Sequence, residues 1–270
     1  MRVAVLGSPI AHSLSPVMHR AAYAHAGLDW TYDAIDVPAG GLADLVGGVD
    51  DDWRGFSVTA PLKREAAAFA TTRTPVVERL GAANTLVRDG AGWAADNTDV
   101  PGAVAAWAEA GVTGIGSVRI LGGGSTAAAM AYAVGTAGAE RIEIVVREPA
   151  RADAAVAAGL DGGAAVDVAR LDESVGAPVD LLICTVPVAA VQARAAEWTA
   201  AARAVFDVIY DPWPTALAMT AERQGLTVVS GLDLLAHQAV LQLQQMAAID
   251  VDADLLRSAA RVALAGGHTP

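Results

Sequence analysis

A strand, a glycine-rich turn and a helix follow one another directly in the middle of this chain. Residues 118–121 form a short apolar run, the turn follows, and residues 127–137 have the pattern of a helix. Glycines at such a turn permit a tight bend and close approach to a pyrophosphate, while the helix N-terminus supplies N–H groups and a positive dipole. The segment indicates dinucleotide binding, although a purely structural turn also fits it alone. The candidate cofactor residues are Gly122, Gly123, Gly124, Ser125 and Thr126.

Strand and helix patterns alternate on the C-terminal side of this turn. Further strands are predicted at 142–146, 179–186, 205–209 and 226–229. Apolar runs separated by helical stretches predict a parallel sheet with helical crossovers. The last segment, residues 233–265, is predicted as two helices separated by residues 249–252.

The end of the second strand in this sheet distinguishes the two nicotinamide cofactors. An acidic residue there would hydrogen-bond the ribose diol of NAD, whereas arginine accommodates the 2′-phosphate of NADP. Arg147 follows the predicted strand and Arg151 lies four residues later, so the two guanidinium groups favour NADP, with NAD as the alternative. Glu148 lies between them, and a solvated helix start with local ion pairs is the structural alternative.

The first hundred residues also alternate strands with helices. Strands are predicted at 3–6, 32–37 and 55–59, a hairpin at 85–87 and 92–95, and helices at 15–26, from Pro61 onward and at 99–110. Ser15 is predicted as the N-cap of the first helix, with Pro16 at the first helical position and Gly27 at its end. An α/β fold is therefore expected on both sides of the glycine-rich turn.

Four short polar motifs lie in this N-terminal part, most of them at or just after the end of a predicted strand. They cover residues 7–16, 56–63, 81–85 and 96–99. Open α/β sheets place their ligand crevice at such strand ends. The motifs offer hydroxyls, an amide, one cation and a carboxylate, a set that suits a small polyol carrying one carboxylate. Each motif also has a structural alternative, because Ser15 and Thr59 suit helix caps and Asn84 suits a turn.

The chain contains a single lysine, Lys63, and seventeen arginines. Arginine stays protonated at essentially any pH, whereas burial and neighbouring charges can shift the pKa of a lysine until it exchanges protons. A chain that uses arginine elsewhere, and keeps lysine beside predicted substrate residues, indicates an acid–base role for that lysine. Chance retention of one surface lysine is the alternative.

Composition and charge exclude several classes of function. The net charge is −12 and the isoelectric point about 4.7, so neither a nucleic acid nor a membrane partner is expected. The longest apolar run, 127–134, is far shorter than the roughly 18 residues that a membrane span needs. The N-terminus lacks a leader pattern and Cys184 is the only cysteine, which favours the cytoplasm. The spacing of His12, His19 and His25 predicts no metal site.

Two further motifs, at 207–215 and 231–238, complete a set that resembles the shikimate dehydrogenase family, including its quinate/shikimate branch. The resemblance covers nearly the whole chain in the family's order. It implies an α/β substrate domain, an NADP-binding Rossmann domain, and C-terminal helices that pack back on the substrate domain. The implied substrate domain comprises residues 1–101 and 232–270, and the Rossmann domain residues 102–231.

The resemblance also implies roles for individual residues. Lys63 and Asp99 match the catalytic pair, and Ser13 and Ser15 match the ligands of the substrate carboxylate. The remaining implied contacts are Thr59, Asn84, Tyr210 and Gln238 for the substrate, and Val208 and Gly231 for the cofactor. The chain departs from the family in two places: Ser125-Thr126 replaces the usual Gly-Ala, and Val146-Arg147-Glu148 replaces a common Asn-Arg-Thr.

The implied reaction is the reversible, NADPH-dependent reduction of 3-dehydroshikimate to shikimate in aromatic amino acid (chorismate) biosynthesis. Hydride transfer to a ketone leaves alkoxide charge that needs a proton and a positive partner, and Lys63 with Asp99 is expected to serve that oxygen as a coupled pair. The alternatives are a quinate/shikimate or aminoshikimate dehydrogenase using NAD or NADP, and a non-catalytic regulatory protein that binds NADP or shikimate. The expected partner is the small-molecule substrate, and the protein is expected to be a monomer or homodimer.

Overall fold

The chain folds into two units in the computed structural model, which describes residues 1–266. The first unit comprises Met1–Thr98 and the chain from Leu235 onward, and the second comprises Asp99–Leu234. The boundaries expected from the sequence were 101/102 and 231/232, and residues 267–270 of that expectation lie outside the described part. Among residues 1–266, none of the helices is long and apolar enough to cross a membrane.

The first unit is built on a mixed six-stranded sheet. Its strands are β1 (Arg2–Gly7), β2 (Thr31–Asp36), β3 (Trp53–Val58), β4 (Thr72–Arg73), β5 (Thr85–Asp89) and β6 (Gly92–Asp96). Their spatial order is β2-β1-β3-β5-β6-β4. β1 runs parallel to β2 and β3, whereas β5 runs antiparallel to β3 and β6. The predicted strands and the hairpin are confirmed, and the short β4 is an addition.

Four helices accompany this sheet, and the first begins one residue earlier than predicted. They are α1 (Ser15–His25), α2 (Leu42–Gly47), α3 (Lys63–Phe69) and α4 (Pro75–Leu80). Ser15 is the first residue of α1, and the N-cap is Leu14. The N-cap prediction for Ser15 was wrong because the Leu14 carbonyl already accepts the Met18 N–H (3.1 Å), after a turn that the Ser13 N–H closes on the Ile10 carbonyl (2.9 Å).

The start of α3 also differs from the prediction. The helix begins at Lys63 rather than Pro61, with Leu62 as N-cap and, within the described chain, no side-chain capping bond. The Leu62 N–H donates to the Thr59 carbonyl (2.9 Å), so the backbone closes this turn and the Thr59 hydroxyl does not act as a cap. The core beneath is aromatic: the Phe56 ring lies 4.9 Å from Trp53 and 5.2 Å from Trp93, between centroids.

The second unit is built on a six-stranded, fully parallel sheet. Its strands are β7 (Ser117–Leu121), β8 (Arg141–Val146), β9 (Ala165–Arg170), β10 (Val179–Cys184), β11 (Ala202–Asp207) and β12 (Thr227–Ser230). The spatial order β12-β11-β10-β7-β8-β9 is that of a doubly wound dinucleotide-binding sheet, with the order reversing between β7 and β10. Five of these strands were predicted. β9 was missed because it is an edge strand with mostly exposed side chains and no apolar run.

Helices of small residues cover this sheet. They are α5 (Asp99–Glu109), α6 (Ser125–Thr136), α7 (Asp153–Asp161), α8 (Ala195–Ala200) and α9 (Ala216–Arg223). α6 and α7 pack on each other, and their buried faces consist mostly of alanine. Alanine favours helix and permits close helix approach, which explains part of the alanine-rich composition.

The C-terminal segment forms two helices, as predicted. They are α10 (Gly231–Ala247) and α11 (Ala253–Ala265). α11 packs against α1, and Met246 of α10 lies over Gly55 of β3, so the C-terminal helices pack on the first unit. The predicted fold class, an α/β substrate domain with a Rossmann domain and C-terminal helices packed back on the first, is confirmed.

Candidate substrate and cofactor sites

The candidate substrate residues of the first unit follow two neighbouring parallel strands. β1 leads into Ser13 and Ser15, and β3 leads into Thr59 and Lys63. The two strands are paired up to their carboxyl ends. Because both strands run in the same direction, their loops emerge at one edge of the sheet. The structure thus brings two of the predicted N-terminal motifs to one place in this unit.

The two serines lie at the N-terminus of α1. Ser15 is buried and Ser13 is half-buried, and the Ser13 hydroxyl accepts the Ser15 N–H at 3.3 Å. Hydroxyl donors beside the positive end of a helix form a suitable environment for a carboxylate. The position of Ser13 and Ser15 is thus compatible with the carboxylate site that the resemblance implies.

Lys63 is buried, with 9% of its surface exposed, and its backbone carbonyl accepts the Ala83 N–H at 2.8 Å. Burying an ammonium group is costly, and a cation at a helix N-terminus opposes the dipole. A position with two such costs is not that of a solvated surface lysine, so the alternative of chance retention on the surface is wrong.

Asn84 is the centre of a buried polar cluster rather than a simple turn residue. Its Oδ1 accepts the Thr98 N–H at 2.8 Å and the Thr85 hydroxyl at 2.9 Å. Its Nδ2 donates to Thr98 Oγ1 at 2.9 Å and to Gln238 Oε1 at 3.0 Å. Both ends of the amide are therefore bonded, and Asn84 and Gln238 meet directly although 154 positions separate them.

The second unit begins with Asp99, the first residue of α5, of which 7% is exposed. The positive end of a helix stabilises a carboxylate in its first turn. Asp99 directly follows Thr98 in the chain, and Thr98 holds Asn84.

The glycine-rich turn follows β7 at the point where the strand order of the second unit reverses. Gly122 has a φ of +123°, and a Cβ there would collide with the Thr185 side chain, so chain packing alone requires glycine. A Cβ on Gly124 would instead meet no atom of the described chain within 4 Å. The N-terminus of α6 has, among residues 1–266, no side-chain cap. Open space at Gly124 beside uncapped N–H groups fits the pyrophosphate of a dinucleotide.

The arginines at the carboxyl ends of β8 and β9 are arranged differently from the expectation. Arg151 lies 3.4 Å from Glu148 in an exposed ion pair, whereas Arg147 lines a pocket with Arg170, the last residue of β9. Asp172 also lines this pocket and bonds Arg170 at 3.1 and 3.3 Å. That bond lowers the pKa of the Asp172 carboxyl.

The segment after β11 carries the last candidate residues. The buried Asp207 accepts the Thr215 hydroxyl at 2.7 Å and the Ile209 N–H at 3.2 Å, which fixes the segment holding Val208 and Tyr210. Burial raises the pKa values of Asp207 and Tyr210. Gly231 lies against the Val208 carbonyl, where a Cβ would collide.

Comparisons with known proteins agree with this arrangement. The family model "Shikimate dehydrogenase substrate binding domain" matches residues 5–86. A shikimate dehydrogenase (NADP(+)) from Methylobacterium radiotolerans is 38% identical over 257 residues, 88% of this chain and 88% of that protein. The chain belongs to the shikimate dehydrogenase family.

Solved shikimate dehydrogenases share the fold along almost the whole chain. The enzyme of Mycobacterium tuberculosis superposes with a TM-score of 0.88 and 36% identity, covering 97% of this chain and 99% of that one. Shikimate 5-dehydrogenase of Thermus thermophilus, solved in complex with NADP(H) and shikimate, gives a TM-score of 0.83 and 30% identity over 97% and 99% of the two chains. The family predicted from the motifs is thus confirmed.

Sequence reasoning missed three residues that the structure adds to these shikimate dehydrogenase sites. Gln242 bonds the Asn84 carbonyl at 3.1 Å, Asp207 fixes the segment of Val208, and Arg170 shares a pocket with Arg147. Gln242 lies one helical turn after Gln238, a spacing that could have indicated a shared face. Arg170 could be found only together with β9, which the sequence did not reveal.

Proposed function

We propose that this protein is an NADP-dependent shikimate dehydrogenase that reversibly reduces 3-dehydroshikimate to shikimate in aromatic amino acid biosynthesis. One observation carries the proposal: a chain of this family combines mostly buried polar side chains suited to a polyol carboxylate with a glycine-rich turn suited to a dinucleotide. The unit Met1–Thr98 with the chain from Leu235 onward would bind the substrate. The unit Asp99–Leu234 would bind the cofactor.

In the substrate unit, Ser13 and Ser15 would donate hydrogen bonds to the substrate carboxylate at the N-terminus of α1. Asn84 and Gln238 would bind ring hydroxyls, together with Thr59. A site built to hydrogen-bond such hydroxyls discriminates strongly against analogues that lack them, since its buried polar groups would otherwise be left without partners. Tyr210 keeps the substrate-binding role that the family resemblance gives it.

In the reaction, Lys63 would donate a proton to the ketone oxygen during reduction and accept it again from the alcohol during oxidation. A buried ammonium stabilises the developing alkoxide more strongly than a solvated one, because the local dielectric is low. The NADPH that the second unit binds would supply the hydride. Asp99 keeps the second catalytic role that the family resemblance gives it.

In the cofactor unit, Gly122–Thr126 would hold the pyrophosphate, with Val208 and Gly231 as further contacts. Arg147 and Arg170 would bind the 2′-phosphate, since both line the pocket after β8 and β9. Arg151 would contribute less, because it is not among the residues that line this pocket and it pairs with Glu148 at 3.4 Å. Two guanidinium groups outweigh the single carboxylate of Asp172 in this pocket.

The proposal is tested by the absorbance of the reduced nicotinamide. The purified protein is incubated with shikimate or quinate and with NADP+ or NAD+, in all four combinations. The highest kcat/KM is expected for shikimate with NADP+. A preference for quinate or NAD+ would assign the chain to another branch of the family, and no signal with any pair would contradict an enzymatic function. Light scattering of the same sample tests the expected monomer or homodimer.

A further inference from the structure

A chain of buried hydrogen bonds runs through the first unit from β2 to β5. The Tyr32 hydroxyl donates to Ser57 Oγ at 2.6 Å, and the Ser57 hydroxyl donates to Gln242 Oε1 at 2.9 Å. Gln242 Nε2 donates to Thr85 Oγ1 at 3.0 Å, and the Thr85 hydroxyl donates to Asn84 Oδ1 at 2.9 Å. All five side chains are buried.

Each end of this buried hydrogen-bond chain leads to a candidate substrate-binding residue. At one end the Tyr32 ring stacks 4.1 Å from His19, whose Nδ1 donates to the Ser15 carbonyl at 2.9 Å. At the other end lies Asn84, whose Nδ2 points to Thr98 and Gln238. Tyr32, Ser57 and Gln242 therefore connect the start of α1, where His19 holds the Ser15 backbone, with Asn84.

Gln242 Nε2 also donates to the Asn84 carbonyl, which can only accept, so the direction of the neighbouring links is fixed. Burial raises the pKa of Tyr32, which keeps the phenol protonated as the first donor. Gln242 must present its oxygen to Ser57 and its nitrogen to Thr85, and Thr85 must then donate to Asn84 Oδ1. The Thr85 hydroxyl and the Thr98 N–H thus both donate to Asn84 Oδ1, which leaves Nδ2 facing Gln238. Polar networks of this kind are stabilising only when every member is satisfied.

We propose that Tyr32, Ser57 and Gln242 are positioning residues that orient Ser15 and Asn84 for substrate binding. This inference rests on the proposed function. Tyr32, Ser57 and Gln242 would not contact the substrate. They would hold Ser15 and Asn84 in the orientation that shikimate binding requires.

The structure offers a matched pair of tyrosines for the test. Tyr23 of α1 is also buried, and its hydroxyl has no hydrogen-bond partner within the described part of the chain. Tyr32→Phe and Tyr23→Phe remove the same atom from buried rings of the same unit. Tyr32→Phe should raise the KM for shikimate about five-fold, the effect of one lost hydrogen bond. The KM for NADP+ should not change, and Tyr23→Phe should alter neither value.

Ser57 provides the second test. Ser57→Ala should raise the shikimate KM as Tyr32→Phe does, and Ser57→Thr, which restores a hydroxyl, should recover most of the loss. The double variant Tyr32→Phe/Ser57→Ala should bind shikimate little worse than either single variant, because residues in one network are not additive. A shikimate KM that rises equally in Tyr23→Phe, or fully additive effects, would overturn the proposal.

A readout independent of activity separates this inference from the proposed function. The Thr98 N–H donates to Asn84 Oδ1, at the end of the hydrogen-bond chain that begins with Tyr32. In a ¹⁵N–¹H spectrum, its signal should shift in Tyr32→Phe and stay in place in Tyr23→Phe. If the wild-type protein does not oxidise shikimate, the proposed function fails, and the Thr98 signal still decides the positioning role. An unmoved Thr98 signal in Tyr32→Phe would refute it.

Discussion

The candidate substrate site of the first unit and the candidate cofactor site of the second unit consist of different kinds of groups. In the first unit they are buried side chains: Lys63, Asn84 and Gln238 are 9%, 2% and 7% exposed. In the second unit the candidate cofactor site consists of backbone groups at a glycine-rich turn and exposed arginines after the strands, whereas its candidate catalytic residue, Asp99, is buried. Buried polar groups are held in one orientation and discriminate by shape and hydrogen bonding. Exposed cations supply affinity that salt screens.

This difference predicts where substitutions act. Changes in the first unit should alter turnover or shikimate affinity and depend little on salt. Changes among the arginines of the second unit should alter cofactor affinity, and more strongly at low ionic strength than at high.

The largest effect is expected for Lys63→Ala. Losing the buried acid–base group should lower kcat by about 10²- to 10⁴-fold, with little change in the KM for NADP+. Lys63→Arg should not rescue turnover, because arginine keeps its proton. Arg64→Ala is the matched control, since it removes the exposed cation next in the chain. A near-normal kcat in Lys63→Ala would rule out its catalytic role.

The second effect concerns the stability of the first unit at acid pH. His19 is fully buried, stacks 4.1 Å from Tyr32 and donates from Nδ1 to the Ser15 carbonyl at 2.9 Å. Burial lowers its pKa to about 4 from 6.5. The unfolded state therefore binds a proton between these values and the folded state does not, so stability falls as the pH drops from 6.5 towards 4.

The full effect on the free energy of unfolding is about 3 kcal/mol. In His19→Asn, which keeps a donor but cannot titrate, the melting temperature should vary less with pH across this range. His25→Asn removes an exposed histidine of the same helix and should preserve the wild-type pH dependence. Equal pH dependence in wild type and His19→Asn would contradict the assignment to His19.

The third effect compares two exposed arginines of the second unit. Arg170→Met should raise the KM for NADP+ about ten-fold and leave that for NAD+ unchanged, because a charge-assisted hydrogen bond to the 2′-phosphate is lost. Arg151→Met should have a smaller effect, since Arg170 lines the pocket beside Arg147 and Arg151 does not. Fluorescence titration with both cofactors, at low and high salt, measures these affinities. A larger loss in Arg151→Met would reverse the proposed order.

How far the sequence predicted the molecule also differs between the units. In the second unit the glycine-rich turn and five of six strands follow from local pattern, because buried parallel strands are continuous apolar runs. β9 was not predicted because an exposed edge strand lacks such a run. Arg170, its last residue, was therefore not recognised as a candidate cofactor residue.

In the first unit the sequence motifs indicated Ser13, Lys63 and Asn84 as candidate site residues. Their hydrogen-bond partners could not be predicted from the sequence. Asn84 meets Gln238 and Gln242 across 154 and 158 positions, and no local pattern encodes such contacts. The helix starts were misplaced for a related reason: backbone turns closed by Ser13 and Leu62 took the place of the expected side-chain caps.

The smallest effect, Ser13→Ala, tests whether the first unit binds the carboxylate through hydroxyls. Loss of one donor should raise the KM for shikimate about five-fold and leave kcat nearly unchanged. Ser13 also accepts the Ser15 N–H at 3.3 Å, a long bond whose loss at a half-buried position should cost little stability.

Ser8→Ala is the matched control for Ser13→Ala. Ser8 lies in the same connection between β1 and α1, and its hydroxyl donates to Asp36 at 2.9 Å, not to the N-terminus of α1. The control should therefore leave the shikimate KM unchanged. If Ser13→Ala lowered kcat at constant KM, or if Ser8→Ala raised the KM equally, a hydroxyl-lined carboxylate site at α1 would be the wrong interpretation. The substrate-binding role proposed for Asn84 and Gln238 would remain valid, because the hydrogen bonds of the buried cluster around Asn84 involve neither Ser13 nor Ser8.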